Sequence, residues 1–104
     1  MIVAIVDFKL PADINAEQAR KLYAESAPRY RAMQGLVRKY YLWDAETRTG
    51  GGVYLWESRA AADAIYSAEW KASIRERYGA EPVITFFDAP VIVDNEIGTT
   101  SVAA

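Results

Sequence analysis

The chain opens on an apolar, β-branched run, Ile2 to Phe8, broken by Asp7. Such a run predicts a strand buried on both faces. Residues 11–15 (PADIN) supply turn chemistry, Asn15 is a good helix N-cap, and Gln18 three residues on completes a capping box. From there Ala19, Leu22, Tyr23, Ala27, Tyr30 and Met33 recur at helical spacing. Pro28 falls inside that pattern and predicts a kink, or a restart after Ser26. Gly35 ends the helix.

Two more apolar stretches follow, residues 35–43 (GLVRKYYLW) and 51–57 (GGVYLWE), joined by residues 44–50 (DAETRTG). That pattern predicts a hairpin whose connection is longer than two residues. Ser58 caps a short helix through RAAADAIY, and Ser67 caps another in which Trp70, Ile74 and Tyr78 form a stripe before Gly79. Residues 82–88 (PVITFFD) predict a fourth strand and residues 91–93 (VIV) a short fifth. Beyond Asn95 the small and polar residues predict a loosely ordered tail over 96–104. The order β-α-β-β-α-β defines an α+β, ferredoxin-like domain over residues 1–95, a four-stranded antiparallel sheet with its helices on one face.

In the third strand Val53 and Leu55 point to one side, Tyr54 and Trp56 to the other, and neither side is polar. Helices cover one face and leave the other bare and apolar, which on a small domain marks an interface. A homodimer packed sheet against sheet, through the face carrying Val53 and Leu55, is the expected solution. Pairing Trp43 with Gly52 would set Tyr41 opposite Tyr54 and Lys39 opposite Trp56. That register gathers Val37, Lys39, Tyr41, Trp43, Tyr54 and Trp56 on one side. It leaves Leu36, Arg38, Tyr40, Leu42, Val53 and Leu55 on the other, and a one-residue slip would mix the sets.

The first set admits two readings. Large rings with polar tips and one lysine suit a cavity with aromatic walls. The same rings could be plain core whose hydroxyls reach the edge, with Lys39 snorkelling to water. On the cavity reading, Tyr41, Tyr54, Trp56 and Trp43, with Tyr23 and Trp70 from the helical stripes, bind a small aromatic molecule. Lys39 then stabilises an anion or, with its pKa lowered by burial, acts as a base, and Asp7 is the alternative base.

Composition narrows the chemistry. The 104 residues suit one domain and carry a high aromatic load of seven Tyr, three Trp and three Phe. Twelve Lys plus Arg against 14 Asp plus Glu give a net charge of −2, with no electrostatic footprint for nucleic acid or an anionic membrane. The chain has no Cys and no His. That excludes disulfides, thiol nucleophiles, and zinc, serine-triad or histidine-ligated haem sites of the usual kind. The remaining oxygen ligands suit hard cations, and neither a metal nor a cofactor is expected. The N-terminal apolar run meets Asp7 too soon for a signal peptide or membrane span, so a cytoplasmic protein is expected.

Residues 35–41 (GLVRKYY), 51–70 (GGVYLWESRAAADAIYSAEW) and 83–90 (VITFFDAP) together resemble the YdhR-type monooxygenases. These belong to the dimeric α+β-barrel superfamily, which includes antibiotic-biosynthesis and haem-degrading monooxygenases. The resemblance covers about residues 1–95, and its most specific pieces are Lys39, the GGVYL run at 51–55 and FDAP at 87–90. It implies a homodimer in which two sheets form a barrel and each subunit has a pocket between sheet and helices. In the related oxygenases a third-strand Trp in a W-E-S context lines that pocket, and Trp56 matches it. An Asn near the end of the first strand is the other recurrent polar group, and Asp7 is its nearest counterpart. The haem-degrading relatives carry a His on the helix after the third strand, close to Ile74 here, so the resemblance does not extend to haem.

The activity implied is that of a cofactor-independent monooxygenase acting on a small aromatic, phenolic substrate. Such a substrate loses a proton, and its electron-rich anion reacts directly with dioxygen while the protein positions it and stabilises charge. The alternative is a non-catalytic small-molecule-binding or stress-related dimer that uses the same pocket.

Overall fold

The structure, a computed structural model, describes residues 1–103. The elements in chain order are β1 (Ile2–Lys9), α1 (Ala16–Arg31), β2 (Leu36–Asp44), β3 (Thr49–Trp56), α2 (Arg59–Ile65), α3 (Ala68–Tyr78), β4 (Val83–Asp88), β5 (Val91–Asp94) and β6 (Thr99–Val102). The first four strands pair antiparallel in the order β2-β3-β1-β4. This is the α+β, ferredoxin-like architecture that the β-α-β-β-α-β pattern predicts.

The caps form as the side-chain chemistry dictates. Asn15 Oδ1 accepts from the Gln18 amide at 2.9 Å while Gln18 Oε1 accepts from the Asn15 amide at 2.9 Å. The Ser58 and Ser67 hydroxyls cap α2 and α3 by accepting from the amides of Ala61 and Trp70, and Gly79 closes α3 in the left-handed conformation. Of the kink or restart expected at Pro28, the restart does not occur, and α1 runs as one element through it. Pro28 forgoes its own intrahelical hydrogen bond, and Tyr23 and Tyr30, buried on either side of it, hold the helix to the sheet.

Alternation fixes the two faces. Ala4, Val6 and Phe8 of β1 join Tyr54 and Trp56 of β3 in one core with Ala19, Tyr23 and Tyr30 of α1 and Trp70, Ile74 and Tyr78 of α3. Strand β1 is therefore buried on this face only, not on both as expected; its other side is half-buried. On that other side run three rows: Val83-Asp7-Gly51-Leu42, Thr85-Ile5-Val53-Tyr40 and Phe87-Val3-Leu55-Arg38. No helix covers it, and Tyr40, Val83 and Phe87 are more than half exposed.

The hairpin register differs from the expected one by two residues, with Tyr41 opposite Gly52, Trp43 opposite Gly50 and Lys39 opposite Tyr54. A two-residue slip keeps every side chain on its face, so the aromatic grouping survives. A bulge between Leu36 and Arg38 then exchanges two residues, placing Leu36 opposite Trp56 against the core and turning Val37 outward. Thr49 and Gly50, expected in the loop, extend β3, because Asp44 closes the turn early. Its carboxylate accepts from the Glu46 amide at 3.1 Å and the Thr47 hydroxyl at 2.8 Å.

The tail expected beyond Asn95 is instead the second strand of a hairpin. Asp94 accepts from the amide of Glu96 at 3.0 Å, Gly98 takes a positive φ of 71°, and β6 pairs with β5 from Asp94–Thr99 to Val91–Val102. The acidic side chain and the glycine together make a turn that composition alone conceals. The hairpin lies beside one end of the bare face, where Val91 and Ile92 approach Val3, Val53 and Leu55.

Within β3 the tightest constraint is Gly51, whose φ is 152° and whose missing Cβ would fall on the Val6 carbonyl oxygen. Gly51→Ala is expected to cost ~2–4 kcal/mol by forcing β3 off β1. Gly98→Ala, in open space but also at positive φ, is expected to cost only ~1 kcal/mol. Urea denaturation of both variants compares them, and similar losses would refute the close approach of β3 to Val6.

Candidate active site

Glycines create the space. A Cβ at Gly50 would collide with the Tyr23 hydroxyl, and one at Gly52 would sit 3.2 Å from Lys39 Cε. With neither side chain present, Tyr23 and the Lys39 stem lie directly against this part of the sheet face. Helices α1 and α3 roof it with Tyr23, Ser26, Tyr30, Ile74 and Tyr78, enclosing a cavity of about 520 Å³. That is within the ~300–1,000 Å³ typical of small-molecule sites.

Lys39 enters this cavity from β2. Its Nζ lies 3.4 Å from the centroid of the Tyr30 ring, 3.8 Å from that of Tyr41 and 4.5 Å from that of Tyr54. Among the described residues no carboxylate lies within ion-pair distance of it. Burial, with a smaller push from Arg29, lowers its pKa from 10.5 to about 6. At ~1.4 kcal/mol per unit that fall is worth roughly 6 kcal/mol. Three ring faces return roughly 0.5–1 kcal/mol each to the ammonium, so desolvation remains the larger effect and holds the pKa below that of a free lysine.

The surrounding tyrosines move the other way. Burial raises the pKa of Tyr54, Tyr41 and Tyr23, so their hydroxyls stay protonated beside the amine. The Tyr41 hydroxyl shares a 2.7 Å hydrogen bond with Ser26, and that of Tyr23 donates to the Leu42 carbonyl at 2.9 Å. Glu25, Arg29, Glu76 and Arg77 surround the cavity's rim, and Arg77 spans 3.5 Å to Glu25, joining α3 to α1.

The cavity brings together four of the residues singled out by sequence, namely Lys39, Tyr41, Tyr54 and Tyr23. Asp7 is not there. Strand alternation puts it on the bare face in a row with Gly51 and Leu42, so it cannot serve as a base in this cavity. Trp56 and Trp70 are fully buried behind the cavity rather than lining it. Trp56 Nε1 donates to the Tyr66 hydroxyl and Trp70 Nε1 to the Tyr30 hydroxyl, both at 3.0 Å, so both are core residues with satisfied polar tips. Trp43 shares the face but borders a separate groove beside Ala16, Ala24 and Ala27 of α1. Tyr30, Ser26 and Tyr78 line the site and were not singled out. The signal was present, since positions 23, 26 and 30 share one helical face, as do 74 and 78.

No group of three or more His, Cys, Asp or Glu suited to a metal occurs among the described residues. What the arrangement offers is an amine of lowered pKa and a ring-lined space that shelters its cation.

Fold and site together define a ferredoxin-like α+β protein with a tyrosine-lined cavity between sheet and helices. The family described as "Putative mono-oxygenase ydhR" matches residues 3–88, and the chain belongs to it. No curated protein matches the chain. Among solved structures, a Deinococcus radiodurans protein described as a "putative antibiotic biosynthesis monooxygenase" aligns at a TM-score of 0.66. Its identity is 16%, over 90% of this chain and 97% of that one. SnoaB, a cofactor-independent oxygenase from Streptomyces nogalater, aligns at 0.61 with 14% identity, over 85% and 91%. A monooxygenase from the gene ActVA-Orf6 of Streptomyces coelicolor, in complex with the ligand nanaomycin D, aligns at 0.62 with 20% identity, over 85% and 86%. At these identities the likeness is one of fold.

Lys39 makes stability depend on pH. Between about pH 6 and 10.5 the unfolded chain holds a proton on this residue that the native protein lacks, so stability rises with pH. Above pH 10 the tyrosines with raised pKa reverse the trend, because the unfolded chain loses phenolic protons that the native state keeps. Denaturation between pH 7 and 9 is expected to show a gain of up to ~1.4 kcal/mol per unit, absent in Lys39→Met. Parallel profiles for the two proteins would mean that Lys39 is charged in its cavity.

Proposed function

We propose that the tyrosine-lined cavity is the active site of a cofactor-independent monooxygenase acting on a small phenolic substrate, with Lys39 as its base. One observation carries the reading: a buried lysine amine, its pKa lowered to about 6 and without an ion-pair partner among the described residues, opens into a cavity with aromatic walls. Membership of the monooxygenase family and the fold of the oxygenases named above support it.

The chemistry is economical. Lys39 Nζ takes the phenolic proton, and the ammonium formed remains beside the phenolate as its counter-ion. The anion passes electrons to dioxygen, a carbon–oxygen bond forms as a hydroperoxide, and loss of water leaves a quinone. One oxygen atom enters the product and the other leaves as water. Tyr41 and Tyr54 hold the ring, and burial keeps their own hydroxyls from ionising in competition.

The bare sheet face is proposed as a homodimer interface, since Val53 and Leu55 lie half-buried among exposed Tyr40, Val83 and Phe87 with no helix over them. Leu55→Glu would bury an unpaired charge there, and is expected to split the dimer or cost several kcal/mol. Light scattering and melting check it; a variant as dimeric and stable as the parent would place the interface elsewhere.

For the site, calorimetric titration of a phenol and its methyl ether against wild type and Lys39→Met separates charge from shape. The variant is expected to bind the phenol more weakly by ~1–3 kcal/mol and the ether almost unchanged. Dioxygen uptake with a readily oxidised phenol is expected in wild type and lost in the variant. Equal losses for both ligands would remove the anion-stabilising role, and uptake that survives Lys39→Met would remove the base.

A further inference from the structure

Three ring faces do little for a neutral amine. The cage around Lys39 is suited to a cation, while burial pushes the nitrogen toward its neutral form. Such a cage can stabilise a cation that forms at this nitrogen during reaction. Protonation by a phenol is one way to make that cation. Condensation with a carbonyl is another, because the product is a protonated imine at the same nitrogen.

The remaining requirements of such a reaction are present. Lys39 Nζ has no ion-pair partner among the described residues, so its lone pair is available. Beside it lies a cavity of about 520 Å³, also lined by Phe8, Tyr23 and Tyr78, whose volume accommodates an aromatic ring. The hydroxyls of Tyr41 and Tyr54, which burial keeps protonated, can serve the oxygen that leaves. By contrast Lys9 and Lys21 lie on the surface.

We propose that Lys39 is an amine nucleophile that captures an aromatic aldehyde or ketone as a reversible covalent imine inside the tyrosine cavity. The Nζ lone pair attacks the carbonyl carbon and the C=O π pair moves to oxygen. A proton passes from nitrogen to that oxygen, giving a carbinolamine. The C–O bond then breaks with uptake of a proton, water leaves, and the C=N bond of the iminium forms. Water returns by the reverse path. No electrons are gained or lost, and no oxidant is needed.

The inference rests on the same cavity as the oxygenase reading but not on its oxygen chemistry, so the two can fail separately. The test incubates the wild-type protein with 4-hydroxybenzaldehyde and cyanoborohydride at pH 7, then maps the reduced adducts by peptide mass spectrometry. Lys39 is expected to be labelled at least ~10-fold faster than Lys21 or Lys9, as for a desolvated lysine. That preference is expected to shrink with acetaldehyde, which gains nothing from the aromatic walls. Labelling of Lys39 no faster than Lys21 overturns the proposal, and an equal preference with acetaldehyde overturns the aromatic class. Dioxygen uptake by a phenol is read in parallel. Trapping without uptake sinks the oxygenase reading and leaves the imine; uptake without trapping does the reverse.

Discussion

The consecutive glycines at 50–52 are the constraint on which the rest of the molecule depends. Gly50 and Gly52 withhold side chains from the helix-covered face at the one place where Tyr23 and the Lys39 stem come closest to the sheet. Gly51 withholds one where β3 presses on the Val6 carbonyl. A strand with three glycines loses entropy and packing. The offsetting gain comes from the helices, whose tyrosines descend into the vacated space and stack, Tyr23 on Tyr41 at 4.9 Å and Tyr30 edge-on to Tyr54 at 5.9 Å. Even so the rings do not fill it, and the cavity is what remains.

From that vacancy the electrostatics follow. A side chain entering from β2 loses water on most sides and finds aromatic faces instead of carboxylates. For a lysine the result is a base; for a carboxylate it would have been an acid kept protonated. The tyrosines around it respond to the same desolvation in the opposite sense, since their charged form is the deprotonated one. One environment therefore shifts amine and phenols in opposite directions, each toward its neutral form.

Much of this was legible in the chain. Asn15 with Gln18, Ser58, Ser67 and Gly79 marked helix ends because capping is local chemistry, and strand alternation placed Lys39, Tyr41 and Tyr54 together even though the expected register was two residues out. What failed needed longer-range information. The bulge at Val37, the strand role of Gly50, and the hairpin closed by Asp94 and Gly98 each depend on what packs or bonds opposite. Asp7 was misplaced for a different reason, since matching it to a recurrent polar position ignored that Asp7 alternates with Val6 and Phe8 of the core.

The tryptophans show how far pattern can go. Trp56 and Tyr54 share a face and stack in parallel at 6.1 Å, so sequence cannot tell which of them meets a ligand. Depth decides it. Tyr54 lines the cavity and Trp56 lies behind it, where Tyr66 and Trp70 complete a core of edge-to-face rings. Both indole nitrogens find tyrosine hydroxyls there, and the Tyr30 hydroxyl that receives Trp70 belongs to a ring that also faces Lys39. The packed core thereby holds the cage wall in place. Tyr30 is anchored by its oxygen from behind and presents its face to the amine, so the geometry around Lys39 is set by the core and not by the cavity's contents.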